Sequence, residues 1–426
     1  KKNRISKVFL FWFDIFLFIL SIVICLTLAT KGYDIICEGW MVRAPTVFSI
    51  LGLLLWLLVL EGVRRSSGKI LFIITLLASL FPLVAEYMPG FLEGAGYTFI
   101  RTINYHAFSL ESILGIPMKV VSNLLVGFMI FGIALMVLGG GDFFMKLALS
   151  ILGHTRGGPA KVAVLASAFF GSMSGSAISN VVTTGSVTIP SMKKIGYPAE
   201  IAAAIEACSS TGGVLMPPIM GAVAFIMAML LNTTYLNVVI AAITPSVLYF
   251  LGLLIQVDGH AARRKLTGLP RAELPSLIET LIHGWFYLFA LVLLMIFLYL
   301  RMEARAPFYA TIFLFICANF RKETRLNFKR VWEFLYKNTE LLIELVCLLT
   351  AIGMIIGSLS MTGVAHSISR EIVSFAAARL KKKTGGRRPG GTVRQPRSRL
   401  FGQADDRIRL LRRIRPRPDV QAFRLQ

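Results

Sequence analysis

Runs of about twenty apolar residues recur along this chain, and a polypeptide patterned in this way has few folds open to it. Such a run crosses hydrocarbon only if each backbone N–H and C=O is satisfied within it, which selects the α-helix. Candidate spans fall at 8–29, 45–60, 70–87, 120–138, 236–257, 281–300, 308–318 with its flanks, and 341–359. With 56% hydrophobic and 16% charged residues, the chain lies far from soluble averages. The expected fold is therefore an all-α polytopic membrane protein. The first span is too long for a signal-peptide core and no small-residue cleavage pattern follows it, so it reads as a retained helix.

The formal net charge of +23 is unevenly spread. From Arg379 to the C-terminus, sixteen Lys and Arg stand against three Asp. The rest sits in short basic stretches: Lys1, Lys2, Arg4 and Lys7; Arg64, Arg65 and Lys69; Arg263, Arg264 and Lys265; Arg321, Lys322, Arg325, Lys329 and Arg330. That is a positive-inside pattern for a bacterial inner membrane, not a nucleic-acid surface. The five cysteines, Cys25, Cys37, Cys208, Cys317 and Cys347, lack metal-type spacing and read as packing residues. Residues 379–426 form a basic low-complexity tract. It is either a disordered cytoplasmic tail attracted to anionic lipid or the product of out-of-frame translation of a GC-rich gene. The chain starts at Lys1 without a Met, so an upstream piece is expected.

The middle of the chain departs from the spanning pattern. Gly139, Gly140 and Gly141 are expected to break the helix before them, with Asp142 capping a short helix at 143–152. Residues 162–170 are too few to span, and the next eighteen, Gly171 to Thr188, include twelve Gly, Ser, Thr or Asn. A second interruption is expected at Thr211, Gly212 and Gly213 and is extended by Met216, Pro217 and Pro218. Irregular backbone at membrane depth persists where it is buried in protein or lines a watery cavity, so the two broken regions, Gly171 to Gly185 and Thr211 to Gly221, are the candidate site.

Ser172, Ser174, Ser176 and Asn180 are assigned to a re-entrant hairpin tip as ion ligands, with Gly212 and Gly213 offering carbonyls from the facing break. Thr183, Thr184, Met216, Pro217 and Pro218 are assigned to solute contact. The competing reading is close helix packing by small residues, which suffices for an isolated Ser or Gly but not for the whole cluster. Among intramembrane acids, Glu206 is either an ion- or proton-binding residue or a structural acid paired with Lys161 or Lys193; Asp14 and Glu344 read as structural. His106, His154, His260, His283 and His366 are dispersed, so no metal site beyond the sodium site is expected.

These residues resemble a known family. Gly157-Gly158-Pro159-Ala160-Lys161-Val162, Gly171-Ser172-Met173-Ser174-Gly175-Ser176-Ala177 with Asn180, Thr183, Thr184 and Gly185, Gly196-Tyr197, and Glu206-Ala207 through Ser210-Thr211-Gly212-Gly213 to Met216-Pro217-Pro218 look like the first signature of the large membrane subunit of TRAP transporters. The Val-Val-Thr-Thr-Gly wording is similar to fused permeases that work with TAXI-type extracytoplasmic binding proteins. The resemblance implies ion-gradient uptake of an organic acid, with Na+ as coupling ion and H+ as the alternative, no other cofactor, no ATPase subunit and no enzymatic activity. It also implies two inverted repeats moving as an elevator, of which this chain carries the first. Residues 1–110 would be small-subunit-like, lacking that subunit's first helix, and 111–378 the large-subunit, DctM-like domain. A second hairpin signature is missing after 378. The competing functions are a truncated non-transporting protein, a channel-like scaffold, and an intramembrane hydrolase using Ser174, for which the sequence-nearest His154 is a poorly placed base.

Overall fold

The computed structural model describes residues 2–320 and 324–383. Among them all regular structure is helical: α1 (Lys2–Thr30), α2 (Gly32–Cys37), α3 (Thr46–Ser66), α4 (Gly68–Leu80), α5 (Phe99–Phe108) and α6 (Ile116–Val120). A single π-helical turn, Val121–Leu125, joins α6 to α7 (Val126–Val137). Then follow α8 (Gly140–Leu152), α9 (Gly158–Ser174), α10 (Ala177–Lys194), α11 (Ala199–Gly213), α12 (Ala222–Leu230), α13 (Tyr235–Arg263), α14 (Leu277–Tyr299), α15 (Ala306–Asn319), α16 (Phe328–Thr362) and α17 (Val364–Lys383). Residues up to Ile368 make one compact unit. In the unit beginning at Ser369, the described part continues α17 as helix. The sequence readings for 384–426 lie outside the described residues.

Six helical stretches are long and apolar enough to cross a membrane: Phe11–Thr30, Thr46–Ser66, Ile116–Val137, Tyr235–Arg263, Arg271–Tyr299 and Phe328–Thr362. Gly68–Leu83 and Ala306–Asn319 are shorter apolar helices. At about 1.5 Å per residue, the 22 residues of Ile116–Val137 rise roughly 33 Å, the thickness of a bilayer core. Their surroundings differ. Phe128 and Phe131 on α7 are 1% and 0% exposed, whereas Leu248 and Ile255 on α13 are 64% and 71% exposed. α7 is thus a helix packed inside protein, and α13 turns a full apolar face outward to hydrocarbon.

The polyglycine segment does not act as expected. Gly139 alone takes the left-handed conformation (φ 97°), and α8 begins at Gly140, so Asp142 lies in its first turn instead of capping it. A Cβ at Gly140 would meet the Leu135 carbonyl oxygen at 2.6 Å, and one at Gly141 would meet the Phe170 ring at 3.0 Å. The glycines therefore serve close approach as well as the turn. Asp14 reaches Arg65 at 2.6 Å, in accord with a structural role.

Around α5, in the connection between spans, sits a buried polar cluster. His106 is fully buried, with Nε2 3.0 Å from the Ser79 carbonyl and Nδ1 2.6 Å from Ser112 Oγ. A carbonyl only accepts, so Nε2 carries the proton and Nδ1 accepts from Ser112. α16 comes close here because Gly353 and Gly357 are one turn apart. A Cβ on the first would meet the Ser112 carbonyl oxygen at 2.5 Å, and on the second Ser112 Cβ at 2.6 Å.

Burial holds the His106 imidazole down to about 4, below its ordinary 6.5. The neutral ring's contribution is full above pH 6.5 and is lost as pH falls toward 4, because the unfolded chain takes up the proton first. Thermal unfolding of the purified protein should therefore lose on the order of 3 kcal/mol between those pH values, and His106→Gln should flatten that decline. An unchanged slope in the variant would refute the assignment.

Candidate functional site

α9 and α10 form the expected hairpin, with a far tighter tip than the sequence implied. Residues 171–185 were expected to be interrupted; only Gly175 and Ser176 leave helical geometry. Gly175 takes φ 62°, donating its N–H to the Gly171 carbonyl at 3.0 Å to end α9. Ser176 Oγ accepts from Ser179 N at 3.3 Å to start α10. Of the small residues, Asn180, Thr184, Gly185 and Thr188 are buried, on the face of α10 that carries the Glu206 contacts, where close packing suits small side chains.

The three helices meet at a point of unusual closeness. A Cβ on Gly171 would lie 2.4 Å from Gly213 Cα and 2.9 Å from Asn180 Nδ2; one on Gly213 would lie 2.6 Å from the Ser167 carbonyl oxygen. Asn180, fully buried, donates its side-chain amide to that same Ser167 carbonyl at 2.9 Å. Backbone contact between α9 and α11 is thus bridged by a side chain from α10.

The second interruption also lies later than expected. Thr211, Gly212 and Gly213 stay in α11, and the non-helical stretch runs from Val214 to Gly221. The Gly212 and Gly213 carbonyls accept from Leu215 N and Met216 N, both at 3.0 Å. Further groups of the break find tertiary partners, and Gly221 N donates back to the Val214 carbonyl at 2.9 Å. Ile219 N donates to the Ser172 carbonyl at 3.3 Å, and Ser246 Oγ donates to the Leu215 carbonyl at 2.7 Å. The buried Tyr235 hydroxyl lies against the carbonyls of Pro218, at 3.0 Å, and Ile219. A Cβ on Gly175 would meet the Met220 carbonyl oxygen at 2.7 Å, so hairpin tip and break abut.

Glu206, on α11, is fully buried and sits in a cage of hydroxyls. Oε1 accepts from Ser167 Oγ at 3.1 Å, Ser210 Oγ at 3.3 Å and Thr184 Oγ1; Oε2 accepts from Thr188 Oγ1 at 2.5 Å. The acid thereby links α9, α10 and α11. Neither lysine of the structural reading pairs with it: Lys161 binds Asp258 at 2.7 Å, and among the described residues Lys193 forms no ion pair with Glu206. Both oxygens of the acid thus have hydroxyl partners, so its burial leaves neither of them unpaired. At the open end of the hairpin, Asp258 of α13 is held by both Lys161 and Arg156.

The remaining expected residues fall in three places. Ser172 is buried, its hydroxyl donating to the Phe169 carbonyl at 2.7 Å, while Ser174 and Ser176 are half-buried at the tip. Thr184 belongs to the Glu206 cage, but Thr183 points outward from α10 and is exposed. Met216, Pro217 and Pro218 are half-buried in the break, and the two prolines wall a cavity of about 510 Å³ completed by α14. Sequence reading missed Ser167, Thr188, Ser210, Tyr235 and Ser246 as site residues. Thr184 and Thr188, like Glu206 and Ser210, stand four apart on one helix face, which was the available signal. Nothing local marks Tyr235 or Ser246.

Two abutting interruptions, set beside helices long and apolar enough to cross a membrane, define a membrane protein built on broken helices, an arrangement that permeases use. The sequence profile described as "Tripartite ATP-independent periplasmic transporter, DctM component" matches residues 54–381, and the chain belongs to that family, whose named relatives are transporter permeases and not enzymes. It is a multi-pass protein of the inner membrane. It is similar to the C4-dicarboxylate TRAP transporter large permease protein DctM of Pseudomonas aeruginosa, 32% identical over 174 residues that cover 39% of this chain and 40% of that protein. It is also similar to the sialic acid TRAP transporter permease protein SiaT of Haemophilus influenzae, 31% identical over 32% of this chain and 22% of that one. To the 2,3-diketo-L-gulonate TRAP transporter large permease protein YiaN of Escherichia coli it is 26% identical over 45% of each. The matched regions thus span less than half the length of these relatives.

Two substitutions test the packing of the site. Gly213→Ala should lower stability by about 1–3 kcal/mol, since its methyl meets backbone at 2.6 Å. Glu206→Gln should cost a similar amount by setting an amide donor among hydroxyls. Thr183→Ala, on the exposed face, should stay within about 0.5 kcal/mol of wild type. Thermal unfolding in detergent reads all three; an unaffected Gly213→Ala protein would show the α9–α11 contact to be looser than described.

Proposed function

We propose that this chain is the permease component of a TRAP-type secondary transporter, taking up an organic acid delivered by an extracytoplasmic binding protein of the TAXI type and driven by a sodium gradient. The observation that carries the reading is the abutment of hairpin tip and break, because polar backbone held at membrane depth is what solute- and ion-binding permeases use. The names of the relatives support an acid as solute: C4-dicarboxylates for DctM and sialic acid for SiaT.

On this reading Ser172, Ser174, Ser176, Asn180, Gly212 and Gly213 supply the oxygen-rich ion site, with Glu206 holding the three helices that frame it. Thr183, Thr184 and the main chain of Met216, Pro217 and Pro218 supply solute contact, where helix ends favour a carboxylate. Residues 1–110 as a small-subunit-like segment, 111–378 as the permease domain and an elevator motion belong to the same proposal.

Liposomes carrying the full chain test it. Labelled C4-dicarboxylate should accumulate with an inward sodium gradient and a cognate binding protein, and should not when the gradient is collapsed. Ser176→Ala should weaken the sodium dependence about tenfold. Accumulation driven equally by a proton gradient without sodium would assign coupling to H+, and gradient-independent leak would assign a channel.

A further inference from the structure

The cavity beside the break does not suit an acid. Pro217 and Pro218 form one wall, and Leu291, Val292, Met295, Ile296, Tyr299 and Leu300 of α14 and its end form the other. No charged side chain lines it, so a carboxylate there would lose its hydration with no cationic partner in the groove. It is also open laterally: Val292 and Ile296 are 52% and 47% exposed on a helix that spans the bilayer. From Leu291 to Leu300 the groove runs about 13 Å, close to the roughly 15 Å depth of one leaflet's hydrocarbon.

What lies at its end points to the occupant. Tyr299, the last residue of α14, is exposed, and aromatic side chains favour the membrane interface. Arg301 follows Leu300 directly, and Arg305 caps α15 four residues on. Both are exposed, and among the described residues neither forms an ion pair. Between them Glu303 is half-buried, with its Oε1 inaccessible, which leaves the turn with two arginines against one acid. The basic clusters of the intervening loops lie toward the opposite ends of α14 and α15, which leaves this cationic turn on the extracytoplasmic side, against the usual charge bias. A cationic turn above an acyl-width apolar groove matches one ligand chemistry.

We propose that this groove binds an anionic phospholipid of the outer leaflet, its acyl chain lying between Pro217-Pro218 and α14 and its phosphate on Arg301 and Arg305. The inference rests on the break, α14 and the turn that follows it, and stands whether or not the chain transports an acid. Its physical consequence is that the flexible partner of the break, on its lipid side, is a bound lipid tail.

The test uses the full chain, delipidated in detergent, with phosphatidylglycerol carrying a diazirine in its acyl chain, and phosphatidylethanolamine of the same chains for comparison. Cross-links should concentrate on peptides containing 217–218 and 291–300, and native mass spectrometry should show phosphatidylglycerol retained at least fivefold over phosphatidylethanolamine. Ile296→Trp, which fills the groove from an exposed position, should cut cross-linking there at least fivefold, while Leu248→Trp, of equal bulk on α13, should not. Arg301→Gln with Arg305→Gln should reduce the headgroup preference to below twofold. Cross-links spread evenly over exposed helix faces, including those of Leu248 and Ile255, would overturn the proposal, as would a headgroup preference unchanged by the arginine variants. The wild-type cross-link map decides the matter even if Ile296→Trp fails to fold.

Discussion

In a bilayer the main chain has no water to fall back on, and the structure around residues 214–221 depends on meeting that demand. The stretch leaves the helical hydrogen-bond ladder, yet several of its groups find partners: the Ser172 carbonyl, the Ser246 hydroxyl, the Tyr235 phenol and the break's own turn to Val214. The first three are contributed by neighbouring elements, α9 or α13. An interruption that would cost several kcal/mol per orphaned group in lipid is therefore stable only as part of an assembly of helices.

Closeness is the second requirement, and it is met by removing side chains. Gly171 and Gly213 let α9 and α11 touch main chain to main chain, and Gly175 lets the tip reach Met220. Lipid offers no hydrophobic force to press helices together, so this contact has to come from fit and from polar bonds such as those that converge on Glu206. The glycines and the hydroxyls are thus two halves of one arrangement. Small residues bring the helices near, and hydroxyls and an amide bond across the gap.

Much of this was legible beforehand. Apolar periodicity fixed the class, and the density of Gly, Ser, Thr and Asn from Gly171 to Thr188 located the hairpin. What it could not place was the extent of the breaks. Composition read 171–185 as interrupted, whereas only Gly175 and Ser176 leave helical geometry; it ended α11 at Ser210, whereas Thr211, Gly212 and Gly213 remain helical, the last in contact with Gly171. The partners of the break, Tyr235 and Ser246, sit in an ordinary spanning helix and are defined only by what the fold sets opposite them. Glu206 was singled out by its depth, but a choice between hydroxyl and lysine partners needs three-dimensional distances.

The salt-bridged foot of the hairpin has a mechanical implication. Asp258 anchors Arg156 and Lys161 to the far end of α13, while Tyr235 and Ser246 on the same helix grip the loop that faces the tip. One helix, α13, therefore holds the foot of α9 directly and meets its tip only through the loop between α11 and α12. A displacement of the tip would disturb the bonds that α13 makes to that loop, whereas the outer face of α10, where Thr183 and Ser186 are exposed, lies away from this linkage.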